Sequence, residues 1–421
     1  MPAPRVHSRS PAGIDVCIRC LLETGAMSMR VLFSFPHALG APGIGWTAWN
    51  QVDGLARLGH DVHVVAASIA RPVPANVCVT QTLAVRGKRV PHRAIGRDRA
   101  FAWHDARAAR FAARGGYDIV HLWPTGPGRT AATARERGIA VVREAPNTHT
   151  EFAWRVVAEE VARLGLQGEV DTAHTANDRR LDMERADWSQ ATAILAPSDF
   201  VAQTFRDAGF ADDRILRHQY GFRPGTRVAR ARTAAPAPLR AVYVGLGEPR
   251  KGLHYALDAW LRSEASKEGT LTVVGRMLPA YEALLADRLA HPSVRVVGFT
   301  HQVEAALAAS DVLLLPTIEE GSALVTYEAQ AMGCVPLVST ASGALVEDGV
   351  QGLFHEPRDV DALVSHLDLL SNDRAELARM SAAAIAHGPE LTWDAAAHTL
   401  VRCYDAARDR ATAGGAHAHA V

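Results

Sequence analysis

The sequence predicts an α/β protein of two Rossmann-like domains, each a doubly wound parallel sheet, facing one another across a cleft. Three observations predict it. Short apolar runs alternate with helix-like segments along most of the chain, as strands covered on both faces by crossover helices require. The alternation stops at RVARARTAAPAPL (227–239), rich in Arg, Ala and Pro, and then starts again. Finally, the chain has 421 residues, 48% of them apolar, enough for two cores of roughly 200 residues each.

Taken in order, residues 1–28 have a short apolar patch without the clean cleavage site of a signal peptide, and read as a disordered leader or as the result of a start codon placed too early. The fold starts at Met29. RVLFSF (30–35) is the first strand, followed by the glycine-rich turn GAPGIG (40–45) and a helix over 47–59. DVHVVAA (61–67), YDIVHLW (117–123), IAVVREA (139–145) and TAILAPS (192–198) continue the series, with helices over 129–137 and 199–208. Residues 152–190 read as helices with a mobile polar connection near the cleft. This bounds a first domain at 29–226 and a linker at 227–238. LRAVYVG (239–245), LTVVG (271–275), VRVVGF (294–299), DVLLLP (311–316) and VPLVST (335–340) supply a second domain, 239–391. TWDAAAHTLVRCYDAAR (392–408) is one amphipathic helix, which the sequence does not place, and 411–421 is a loose tail.

Composition excludes several function classes. Formal net charge is zero, so no nucleic-acid partner is expected. No apolar run reaches the ~18 residues of a membrane span. Of five cysteines only Cys17 and Cys20 form a CxxC, and no second pair completes a zinc site. Unpaired thiols fit a reducing cytoplasm. Arginines 86, 89, 93, 97, 99, 107, 110 and 114 cluster around Phe101, Trp103 and Phe111. The cluster reads as a solvated helix, with peripheral membrane contact or an anionic-acceptor patch as alternatives.

Three stretches carry chemistry. GLGEPRKG (245–252) lies between a strand and the helix LHYALDAW and brings Arg250 and Lys251 together. Lysine occurs only at 88, 251 and 267 among 45 basic residues, which makes Lys251 informative. Fixed cations at a cleft stabilise the charge that develops on a departing phosphate. EEGSALVTYEAQAMGCVP (319–336) lies between two buried strands, with Glu320 at the mouth of a helix and Glu328 inside it. The free amides and dipole of a helix start favour an anion, and Gly321 permits close approach. Glu320 suits sugar hydroxyls, and Glu328 suits a vicinal diol such as a ribose. In the first domain, the amides of Gly43, Ile44 and Gly45 are candidates to line an anion, although GAPGIG is no dinucleotide fingerprint. His149 follows a strand and is a candidate to bond a sugar hydroxyl. His121 reads as structural.

These residues resemble the retaining, two-Rossmann-domain (GT-B) glycosyltransferases of the group 1 or family 4 type. The resemblance covers about Met29 to 408. EGSALVTYEAQAMGCVP matches the family's E-x7-E motif, PRKG its phosphate turn, and SGALVEDGVQGLF (342–354) the segment that follows. In the first domain it rests on Gly43, GLARLGHDV and DIVHLW.

The resemblance implies roles. Glu328 holds the donor ribose and Glu320 contacts the donor sugar. The amides of Ser322, Ala323 and Leu324 face the diphosphate or the sugar, and Lys251 neutralises the leaving diphosphate. Gly43 and its neighbours approach from the opposite domain, His149 lies near the sugar, and Phe299 lies beside the base. Many relatives have an arginine where Leu246 stands, which leaves Arg250 to replace it. The common E-G-F-G is E-G-S-A here.

The implied partners are a nucleotide-sugar donor and a glycan, lipid-linked or small-molecule acceptor. No metal or other cofactor is implied, and the DVD triplet at 359–361 reads as the start of a surface helix. A nucleotide-sugar 2-epimerase and a decayed nucleotide-sugar-binding protein are the alternatives, with a nicotinamide dehydrogenase weaker still for want of a good GxGxxG.

Overall fold

Most of the apolar runs become strands buried on both faces, whereas VRVVGF becomes an edge strand, Val294–Gly298, with three exposed residues. Ile119–Leu122, Val312–Leu315 and Val335–Ser339 have no exposed residue, as a sheet sandwiched between helices requires. The computed structural model describes residues 28–85, 88–90, 95–124, 128–170, 174–225, 229 and 232–418. The expected leader up to residue 27 lies outside the described residues, with Cys17 and Cys20. So do Arg86 and Arg93 of the arginine cluster, positions 227, 228, 230 and 231 of the expected linker, and 419–421 of the expected tail.

The first domain carries β1 (Arg30–Leu39), β2 (Asp61–Ile69), β3 (Cys78–Gln81) and a small antiparallel ribbon, β4 (Ala84–Val85) with β5 (Lys88–Arg89). It continues with β6 (Ile119–Leu122), β7 (Ala140–Glu144), β8 (Ala193–Ala196) and β9 (Ile215–Arg217). Seven of these form one sheet in the order β3-β2-β1-β6-β7-β8-β9. The second domain has β10 (Arg240–Val244), β11 (Thr270–Val274), β12 (Val294–Gly298), β13 (Val312–Leu315), β14 (Val335–Ser339) and β15 (Leu353–His355), in the order β12-β11-β10-β13-β14-β15. Every recorded pairing in both sheets is parallel.

Strand order reverses beside β1 in the first sheet and beside β10 in the second. At such a switch point the loops after neighbouring strands run apart and leave a crevice at the carboxyl ends. The loop after β1 contains Gly43. The loops after β10 and β13 contain Arg250–Lys251 and Glu319–Ser322. Topology therefore brings together Arg250 and Glu319, 69 positions apart in the chain.

The chain crosses between domains twice, and the crossings lie side by side. Phe222 N donates to Leu391 O at 2.9 Å, and Trp393 N donates to Phe222 O at 3.2 Å. The returning helix Trp393–Ala418 buries Leu400, Cys403, Tyr404 and Ala407 in the first-domain core. A second link is Glu160, fully buried on helix Thr150–Arg163. It accepts from Tyr255 Oη (2.6 Å) and Arg358 Nε (2.8 Å) and lies 3.0 Å from His254 Nε2, all in the second domain. Burial alone would raise its pKa, but the hydrogen bonds from His254, Tyr255 and Arg358 hold it down at about 2.

Glu144, at the end of β7, is the polar centre of the first domain. It is fully buried and accepts from Gln51 Nε2 (2.9 Å) and Tyr220 Oη (2.9 Å). His218 Nε2 lies 2.8 Å away and His121 Nε2 3.2 Å away, and His121 reaches Tyr404 Oη of the last helix at 2.7 Å. His121 is thus structural. Burial pushes the Glu144 pKa up, and the two histidines outweigh that and hold it far below the usual carboxylate range. Replacing Glu144 by Ala strands four polar groups in the core. The substitution is expected to lower stability by about 3–5 kcal/mol, read as a lower urea midpoint at neutral pH. An unchanged midpoint would contradict the role given to this carboxylate.

Candidate active site

The cationic turn is a single 3-10 turn, Pro249–Lys251, that caps the helix Leu253–Arg262. It is stitched to the loop after β13: Arg250 O accepts from Ile318 N (3.0 Å) and Thr317 Oγ1 (2.9 Å). Arg250 is largely buried, and its Nε and Nη1 are engaged. Its Nε donates to Glu248 Oε1 (3.1 Å), and its Nη1 donates to Glu319 O (2.9 Å) and Glu319 Oε2 (3.1 Å). Glu320 Oε2 lies 3.4 Å from the same Nη1, and the Lys251 ammonium is in contact with the Glu320 carboxylate. Burial first, and Arg250 second, push the Lys251 pKa down to about 7, while the Glu248 and Glu319 carboxylates oppose that shift. Two cations therefore stand among three carboxylates, Glu248, Glu319 and Glu320.

At Gly321 the two domains approach closely. A Cβ there would collide with the carbonyl oxygen of Pro146 and crowd the Cα of Asn147. Ser322 Oγ bonds Tyr327 Oη at 2.7 Å, and Ala323 precedes the helix Leu324–Ala331. The Ala323 amide donates to Ser342 O at 3.1 Å, so of the three amides singled out in the sequence this one already has a partner. Glu328, one turn into the helix, is half-buried, and its carboxylate has no hydrogen bond or ion pair among the described residues. Burial chiefly, and Glu304 in addition, raise its pKa to about 7. A half-buried carboxylate that meets no donor among the described residues is open to a ligand that offers two hydroxyls.

On the opposing face, Gly43 starts the helix Ile44–Arg57 with φ 78°, a conformation that favours glycine. A Cβ at Gly43 would meet no atom within 4 Å, so its backbone opens on free space. Ile44 is exposed, whereas Gly45 is buried. Ile44 lines a cavity of about 170 Å3 at the carboxyl ends of this sheet, together with Arg97, Asn147, Thr148, Thr150 and Arg180.

His149 sits elsewhere. Its ring packs against Trp188 (centroids 4.8 Å), Phe205 (5.3 Å) and Phe210 (6.1 Å) and lines a separate cavity of about 730 Å3. Burial lowers its pKa, and the charges that act on it are Glu151, Glu184 and Arg185 rather than those of the cationic turn. The structure does not bring this imidazole to Glu320 or Lys251. The first-domain residues that face Gly321 are Pro146 and Asn147, three and two positions earlier.

Phe299 follows β12 and is 56% exposed, and Leu246 follows β10 and is 42% exposed. Arg276, after β11, places its guanidinium 4.6 Å from the Phe299 ring centroid. Together they line the carboxyl edge of the second sheet. Asp359 caps the helix Val360–Asn372 by accepting from Ala362 N (2.9 Å), and Asp361 pairs with Arg262. The DVD triplet is a helix start.

Sequence reasoning missed Glu319, Asn147, Arg276 and Arg180. The doubled acid of EEG was a visible signal for Glu319. The others owe their places to elements far away in the chain, and no local pattern marks them.

Comparisons with known proteins agree with this architecture. Residues 42–217 match the family model described as Glycosyltransferase Family 4, and residues 238–373 match that described as Glycosyl transferases group 1. The D-inositol 3-phosphate glycosyltransferase of Mycobacterium marinum is 31% identical over 340 residues, which are 75% of this chain and 69% of the relative. Among solved structures, a sucrose-phosphate synthase from Thermosynechococcus elongatus superposes with a TM-score of 0.63 at 17% identity, covering 90% of this chain and 98% of that one. Anabaena HepE in complex with UDP-glucose superposes with a TM-score of 0.58 at 16% identity, covering 90% and 99%. The chain belongs to the group 1 / family 4 glycosyltransferases and has their two Rossmann-like domains in the GT-B arrangement.

Proposed function

We propose that this protein transfers a glycosyl group from a nucleoside diphosphate sugar to an acceptor held against the first domain, with retention at the anomeric carbon. The observation that carries the reading is Glu328. A half-buried carboxylate without a donor, beside a helix start and a cationic turn at a switch point, is a receptor for a ribose diol next to a diphosphate. Solved structures of the same fold hold UDP or UDP-glucose.

In this reading the ribose hydroxyls donate to Glu328, and the base lies along Leu246, Arg276 and Phe299. The diphosphate meets Lys251, Arg250 and the free amides at the start of helix Leu324–Ala331, with Gly43 closing from the opposite side. Glu320 exchanges its Lys251 partner for hydroxyls of the donor sugar. The bond from the anomeric carbon to the phosphate oxygen breaks, and the acceptor oxygen bonds to that carbon on the same face. The leaving phosphate oxygen takes the acceptor's proton. Lys251 and Arg250 stabilise the charge left on the diphosphate. No metal enters these steps. The acceptor lies in the cavity lined by Arg97 and Arg180. Those guanidiniums suit an anionic acceptor, and the relatives' name carries a phosphate. This favours the anionic-acceptor reading of the arginine cluster over membrane contact.

A thermal-shift panel of UDP, GDP, ADP and dTDP tests the donor site, because a ligand that binds only the folded chain raises its midpoint. One nucleotide should stabilise the protein, and Glu328→Ala should weaken its binding by about 10- to 100-fold. A wild-type chain indifferent to all four would remove the basis of the reading. Lys251→Ala should cut kcat by about 100- to 1,000-fold while leaving nucleotide bound, and near-normal turnover would count against the leaving-group role. The pH response follows from the two shifted groups. Glu328, at about 7, is charged above that pH, and Lys251, also at about 7, is charged below it. Affinity for UDP-glucose, whose diester does not titrate near neutrality, should therefore peak near neutral pH and fall on both sides. Glu328→Gln should flatten the acid limb only, and a monotonic profile for the wild type would contradict the assignment.

A further inference from the structure

Glu319 stands beside Glu320 in sequence but has a different set of partners. Its carboxylate is fully buried between the domains. Oε1 accepts from Thr148 Oγ1 at 2.6 Å and from Thr148 N at 3.3 Å, both in the first domain. Oε2 lies 3.1 Å from Arg250 Nη1 and 3.8 Å from His174 Nε2. Its backbone carbonyl accepts a second bond from Arg250 Nη1 (2.9 Å) and one from Thr317 Oγ1 (3.0 Å). Both ends of the residue are thereby fixed, and Arg250 is held at two points by it. Burial would raise the Glu319 pKa, but Arg250 above all, then His174 and the Thr148 bonds, keep it below the ordinary value.

This arrangement joins three things that the transfer step needs together. Arg250 is the cation next to Lys251. Thr148 belongs to the loop that lines the acceptor cavity. Glu319 touches both. Opening the cleft would remove both Thr148 bonds and admit water, which weakens charge interactions at the turn.

We propose that Glu319 is a positioning residue: it sets the Arg250 guanidinium beside Lys251, and its bonds to Thr148 make that setting depend on the first domain being closed over the turn. The inference rests on the transferase reading for the chemistry that Arg250 serves. The coupling itself is a property of the fold.

The test is a set of double-mutant cycles. Glu319→Gln keeps an acceptor for Thr148 and removes the charge that faces Arg250. Thr148→Val breaks the link between domains and leaves Glu319 intact. Each should lower kcat by about tenfold or more while the donor KM changes by less than about threefold, because a misplaced group costs rate before affinity. In an Arg250→Ala background Glu319→Gln should add less than about twofold, and in a Glu319→Gln background Thr148→Val should add equally little, since groups acting as a unit are not additive. Full effects in both backgrounds, or a normal kcat in Glu319→Gln, would overturn the proposal. A wild-type chain that turned over no nucleotide sugar would be a failure of the transferase reading alone. The same cycles would then be read on the folding equilibrium, where coupling of Glu319 to both Arg250 and Thr148 above about fivefold sustains the placement and additivity rejects it.

Discussion

A strand order that reverses at β1 and again at β10 fixes where this molecule can receive a ligand. In each sheet the loops that follow the two central strands run apart, and the crevice between them has helix starts for walls. The two crevices are brought face to face by the side-by-side crossings at Phe222 and Trp393 and by the return of the last helix onto the first domain. Arg250–Lys251 and Glu319–Ser322 are neighbours for this reason, and Gly43 stands at the corresponding place in the first sheet. The helix that carries Glu328 begins at the same crevice, so its depth from the entrance follows from the fold as well.

Charge at this crevice is close to balanced rather than simply positive. Arg250 and Lys251 are paired with Glu248, Glu319 and Glu320. In the proposed reading a diphosphate enters by exchange, taking a cation from a carboxylate. Such a site costs affinity for a bare anion and favours one that also satisfies the released carboxylate with sugar hydroxyls and Glu328 with ribose hydroxyls. On that reading, selectivity for a whole nucleotide sugar over free phosphate would follow from the balance. The departure at Leu246 fits the same picture, since Arg250 is already present but is held from the side by Glu319.

The fold class was legible because parallel strands buried on both faces leave fully apolar runs, such as DVLLLP and VPLVST, that few other structures need. β3, β9 and β15 were not legible, since CVTQ, ILR and LFH are short and mixed with polar residues rather than apolar throughout, and become strands only by pairing with a neighbour. At the site, Glu320, Glu328 and the PRKG turn stand out because their chemistry is local to one loop. His149 shows the limit of that method. A histidine shortly after a strand looks like a cleft residue, yet the side chain packs among Trp188, Phe205 and Phe210, and Pro146–Asn147 face Gly321 instead. Glu319 was hidden for a related reason. Its meaning lies in Thr148, which is 171 positions away in the chain and invisible from the motif.

The central claim is that the crevice between β10 and β13 receives a nucleoside diphosphate by opening the Lys251–Glu320 pair. A crystal structure of the chain with UDP tests this most directly. The account predicts the ribose diol on the Glu328 carboxylate, the diphosphate on Lys251 and the start of helix Leu324–Ala331, and Glu320 released from Lys251. UDP bound away from Glu328, or bound with the Lys251–Glu320 pair intact, would contradict it.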